Sequence, residues 1–140
     1  MELLAALYSE LSESTNGITA YTSNRIYPNI AAYAAKKPYI TTQIISNPYV
    51  GHTNVKDIKL YQPMVSVNIW SSGYAQVRTI AALVQTALQD FRGVMGGAGG
   101  ITVSRSLFED EVELPEIDPG TNRPEYRIVQ DYTIWHTSTT

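Results

Sequence analysis

VSVNIWSSGYAQVRTIAALVQTALQDF, residues 65–91, changes its period midway. Val65, Val67 and Ile69 fall at every second position, the spacing of a strand with one buried face. From Tyr74 onward, Val77, Ile80, Ala81, Val84, Leu88 and Phe91 recur three or four residues apart and form one stripe of a helix over 74–91. Gln76, Arg78, Thr79, Gln85, Gln89 and Asp90 face away from that stripe. SSG makes the turn between the two elements, and Ser71 or Ser72 can supply the oxygen that caps the helix. A half-buried strand leading into an amphipathic helix requires two layers around one core.

Upstream, IKLYQPMVSVNIW (58–70) reads as one strand with a defect. Ile58 and Leu60 are apolar at even positions, and Val65, Val67 and Ile69 at odd ones. Pro63 lies where the phase flips and cannot donate to a ladder, so a β-bulge or a strand break is expected there. PYITTQIIS (38–46) is β-branched and reads as another strand. NPYVGHTNVKD (47–57) between them is longer than a hairpin needs, which marks it as a loop with a task. Residues 18–37 read as irregular, with a short helical piece in NIAAYAA. Leu3, Leu4, Leu7, Tyr8 and Leu11 give residues 2–12 an amphipathic helix, and STNGIT ends it.

Downstream, GVMGGAGG (93–100) holds five glycines in eight positions. A phosphate cradle needs glycines after a strand and before a helix, where free N–H groups point at the anion. Here the helix comes first and the strand last, and no GxxxxGK[ST] pattern exists. Gly93 is therefore expected to end the helix in a left-handed cap, with the rest as a pliable link. ITVSRSLF (101–108) alternates, with Ile101, Val103 and Leu107 on one face. EDEVELPEIDPGTNRP (109–124) reads as an acidic, solvated connection, and EYRIVQDYTIWH (125–136) as the last strand, with Tyr126, Ile128, Tyr132 and Ile134 inward. The resulting expectation is an α+β fold with element order α-β-β-α-β-β. It has a mainly antiparallel four-stranded sheet and two helices packed on one face, and forms a single domain over 1–140.

The chemistry is limited by composition. With no cysteine among 140 residues, disulfides, thiolate catalysis and Cys-based zinc sites are ruled out. A net charge of −3 and a pI near 5.3 argue against a dedicated nucleic-acid binder. MELLAALYSELSE carries acids where a secretory signal carries basic residues, and the longest apolar run is too short to span a bilayer. His52 and His136 lie in no ligand pattern, and no GxSxG elbow is present. Glu109, Asp110, Glu111, Glu113, Glu116 and Asp118 lack the spacing of a calcium loop. No catalytic residue, cofactor or metal is expected. A metal-dependent site in the acidic stretch and a DNA-binding module are the alternatives from other classes. Ten Tyr and two Trp against two Phe suit half-wet contact surfaces as well as a core.

RIYP (25–28), PYI (38–40), VSVNIWSSGYAQVRTIAALV (65–84) and YRIVQDYTIW (126–135), in that order and spacing, resemble the tail-completion or tail-terminator proteins of tailed bacteriophages. In that family a strand ending in an aromatic turns into an amphipathic helix, and a late strand again ends in an aromatic. The resemblance covers roughly residues 1–136. It implies a small α+β subunit of a hexameric ring that caps the tail tube, stops its polymerisation and joins it to the head connector, while DNA passes through the hole. Another neck or connector ring protein shares so degenerate a pattern and is the nearest alternative. The implied setting is the virion, assembled in the bacterial cytoplasm without a membrane. On loop length and charge, Tyr49, Val50 and His52, together with Glu109, Asp110, Glu111 and Glu113, are the expected contact residues.

Overall fold

The computed structural model describes residues 2–32, 35–48 and 58–139. Its elements are α1 (Leu3–Leu11), α2 (Thr19–Thr22), β1 (Ile26–Pro28), β2 (Tyr39–Ser46), β3 (Ile58–Tyr61), β4 (Met64–Ser71), α3 (Tyr74–Leu88), β5 (Gly93–Met95), β6 (Ile101–Glu113), β7 (Glu116–Asp118) and β8 (Arg123–Thr139). The strands run in the order β1-β2-β4-β8-β6-β5, with β3 and β7 also paired to β8. β1 is parallel to β2, and the other pairs are antiparallel.

β8, at 17 residues, is the spine. One edge takes β3 and β4 end to end, and the other takes β6 and β7. α1 and α3 cover one face. Ile26, Ile40, Ile69 and Ile128 are successive cross-strand partners across β1, β2, β4 and β8 on that face, and none is more than 3% exposed. Against this ladder lie Leu4, Leu7 and Leu11 of α1 and Val77, Ile80, Val84 and Leu88 of α3. Burying each such aliphatic side chain is worth about 1.5–3 kcal/mol, which makes these residues the main source of cohesion.

The expected four-stranded antiparallel sheet with two helices in the order α-β-β-α-β-β is incorrect: the sheet has eight strands, is mixed, and comes with three helices among the described residues. The missed strands β1, β5 and β7 are three residues each, too short to display a period. α2, of four residues, was hidden in the stretch read as irregular. The described residues of NIAAYAA are not helical. EDEVE is the end of β6 rather than a solvated loop, and β8 begins at Arg123 and runs to Thr139.

The strand over 58–70 does break at Gln62–Pro63, but without a bulge. Tyr61 pairs with His136 and Met64 with Thr133, so the register is continuous across the gap. Leu60 and Val65 consequently lie on opposite faces. The register shifts lie elsewhere, in β6 at Ser104 and Glu109 and in β2 at Ile45. The first moves Leu107 to the face opposite Ile101 and Val103 and places Ser106 and Phe108 inward.

Gly93 does not end α3. The helix stops at Leu88, and Asp90 takes the left-handed conformation at φ 59° while its N–H bonds Ser106 O at 2.8 Å. Asn and Asp tolerate this region better than other non-glycine residues, because their short polar side chains bond locally. The glycine run is a β5–β6 hairpin, with φ of 95° at Gly96, 71° at Gly97 and 78° at Gly99. The N-cap is Gly73 rather than Ser71 or Ser72, but Ser71 retains a role at the helix start two positions before it. Its Oγ accepts from Gly73 N at 3.2 Å and donates to Gln76 Oε1 at 2.6 Å.

Candidate functional site

Two polar constellations stand out on this frame. On the helix side, the end of β6 brings acids under α3. Arg78 donates to Glu111 Oε2 at 3.0 Å and Glu113 Oε1 at 3.2 Å, and Tyr74 Oη donates to Glu113 Oε1 at 3.1 Å. Gln130, wholly buried on β8, donates from Nε2 to Ala81 O and to Glu111 Oε1, each at 2.9 Å, and accepts from Tyr132 Oη at 2.8 Å. Burial pushes the Glu111 carboxyl up, but the hydrogen bonds from Gln130 and Arg78 and the Arg78 charge together hold it below the ordinary 4.5. A carboxyl depressed in the fold stabilises it above its unfolded pKa and loses that contribution as pH falls through the lower, folded value. Acid unfolding of the wild type is therefore expected to steepen below about pH 4.5. Arg78→Ala should flatten that limb by raising Glu111 toward its ordinary value, as thermal melts across pH 3–7 would show.

The second constellation is on the open face of the sheet. Tyr39, Trp70 and Arg127 are successive cross-strand partners on β2, β4 and β8. Tyr39 stacks on Trp70 at 5.8 Å, and the Arg127 guanidinium sits over the Trp70 ring, 4.6 Å from its centroid. Such a cation over indole is worth about 0.5–1 kcal/mol where exposed and more where desolvated. Arg127 also donates from Nε and a terminal nitrogen to Asn68 Oδ1 at 3.0 and 2.6 Å. Lys37 reaches Glu125 at 2.6 Å. Asn29, Ile30, Ala31, Ala32 and Ala35, between β1 and β2, border these groups and leave a groove of about 540 Å³. Tyr39, Asn68, Trp70 and Arg127 form its floor.

The structure divides the expected contact residues. Tyr49, Val50 and His52 lie outside the described residues. Glu109 is the exposed extra residue of the second β6 bulge, and Asp110 is exposed opposite Asp131. Glu111 and Glu113 are engaged by Arg78. The Tyr39–Trp70–Arg127 row went unread in the sequence. Each member sits at an alternate position beside an apolar one, but only the strand order and register align the three. Among the described residues no group of His, Asp and Glu could hold a metal ion, and no helix is long and apolar enough to cross a membrane.

Comparison with known proteins places this arrangement. Residues 5–137 match the family model of the tail completion protein gp17. A chain from the virion of a native gene transfer agent particle has the same fold, with a TM-score of 0.62 and 15% identity, over 97% of this chain and 95% of that one. A second solved chain superposes with a TM-score of 0.56 and 18% identity, covering 93% and 91%. No curated protein sequence matches.

Proposed function

Because the chain belongs to the tail completion protein gp17 family, and so is a structural protein of the phage tail and a virion component, we propose that it acts as a closed ring at the end of the tail tube. In this reading six copies cap the tube, end its polymerisation and join it to the head or neck connector, and DNA passes through the hole without being gripped. The observation that carries the reading is the family match running through nearly the whole of this chain, residues 5–137. The net charge of −3 supports it as well, because a wall with few cations makes few phosphate contacts.

The contact roles assigned to Tyr49, Val50 and His52, and to Glu109 and Asp110, belong to the same proposal. Glu109 and Asp110 are exposed, whereas Glu111 and Glu113 contribute through the Arg78 cluster that fixes the strand end. The test is elongation of purified tail-tube subunit followed by light scattering. Substoichiometric protein should stop growth and fix tube length. A variant with Tyr49, Val50 and His52 all changed to Ser should fold normally and cap about tenfold less well, as expected for loss of ~1.4 kcal/mol of contact energy. Unchanged tube growth with the wild type would remove the capping role, and undiminished capping by the triple variant would remove the loop's part in it.

A further inference from the structure

The distal hairpin of β7 and β8 runs on past the helix layer. From Val112 to Pro124 every residue except Asp118 is exposed, with Ile117 67% accessible. On this arm Glu116 sits directly across the ladder from Glu125, a like charge that Lys37 already meets, and Asp118 lies further out on the same face, opposite Arg123. Like charges placed opposite each other destabilise a ladder unless a cation meets them. The open-face groove has the converse imbalance. Lys37 is balanced by Glu125, whereas Arg127 leans toward Trp70, away from the arm, and forms no ion pair among the described residues. Ile30, 82% exposed, stands at the groove's border.

We infer that the groove of one copy receives the acidic hairpin tip of a second copy. Glu116 and Asp118 on one face of the incoming arm meet Arg127 on the floor, and Ile117, on the arm's other face, packs against Ile30 at the groove's border. The two surfaces differ, so the contact is head to tail, the kind that generates a closed ring when its rotation closes. This inference rests on the ring reading and supplies its lateral contact.

The absence of cysteine gives a background-free test. Ile30→Cys and Ile117→Cys variants, one carrying a size tag, are purified separately, mixed and mildly oxidised. Heterodimer is expected in at least fivefold excess over either homodimer, and the double-cysteine chain should give a ladder of covalent multimers. Arg127→Glu in the Ile30→Cys protein should cut the heterodimer about tenfold. Glu116→Lys with Asp118→Lys in the Ile117→Cys protein should do the same, and combining the two reversals should restore it. That rescue excludes misfolding of the Arg127 variant as the cause. Heterodimer no more abundant than homodimer, or indifferent to both reversals, overturns the inference. If wild-type protein still caps tubes in that case, the ring reading stands and only its lateral contact is wrong. Heterodimer with the charge dependence described but no capping would leave the contact standing and sink the ring reading.

Discussion

Gln130→Leu should destabilise the protein by about 2–3 kcal/mol, although it exchanges a polar residue for an apolar one of similar size in a wholly buried position. The amide gives Tyr132 Oη its acceptor and Glu111 one of its donors. Tyr132 is itself fully buried, so its hydroxyl would be left without a partner away from water. An orphaned buried polar group costs about 1–3 kcal/mol, more than the apolar surface gained returns. Glu111 would also lose part of what holds its carboxyl charged, and the acid limb of stability should shift toward higher pH. Adding Tyr132→Phe to Gln130→Leu should recover about 1 kcal/mol, because the second change removes the orphan. Urea melts measure both differences. A single variant within 0.5 kcal/mol of wild type, a shift no larger than an ordinary surface substitution causes, would show that the network contributes little.

Gly100→Ala is expected to cost a similar amount for a steric reason. A Cβ there would press into the carbonyl oxygen of Met95 and stand 2.9 Å from that of Gly97. Both are backbone atoms of the β5–β6 turn, and Gly100 N donates to Gly97 O at 3.0 Å, so neither neighbour can yield without opening the hairpin. Opening it would expose Met95, which is wholly buried and pairs with Ile101. Overpacking of this kind costs about 1–3 kcal/mol, and a loss in the upper part of that range lowers Tm by roughly 6–10 °C in a chain of this size. Gly97→Ala is the control. It meets no atom within 4 Å and carries only the strain of φ +71°, so about 1 kcal/mol is expected. Calorimetry should rank Gly100→Ala well below Gly97→Ala, and the reverse order would contradict the hairpin geometry.

The long periodic elements were legible in the sequence because their cores repeat. The stripe from Val77 to Leu88 and the inward row of Tyr126, Ile128, Tyr132 and Ile134 appear as read. Gln130 interrupts that row without breaking the strand, since the carbonyl of Ala81 and the carboxylate of Glu111 satisfy it. What escaped notice depends on partners distant in sequence. Ile26–Pro28 has too few residues to show alternation and is a strand only because β2 accepts it in parallel. EDEVE is too acidic to suggest a strand, yet Arg78 and Gln130, 33 and 19 residues from Glu111, engage its inward carboxylates. The bulges at Ser104 and Glu109 likewise cannot be read from β6 alone, because they are defined by its register on β8. The groove is the extreme case, with Tyr39, Trp70 and Arg127 on three strands aligned only by pairing.

The central claim, a ring at the end of the tail tube, is tested most directly by electron microscopy of the purified protein mixed with polymerised tail-tube subunit. The predicted result is six-fold density capping one end of each tube, with an open central hole. Tubes with bare ends, and a protein that stays monomeric in their presence, would contradict it.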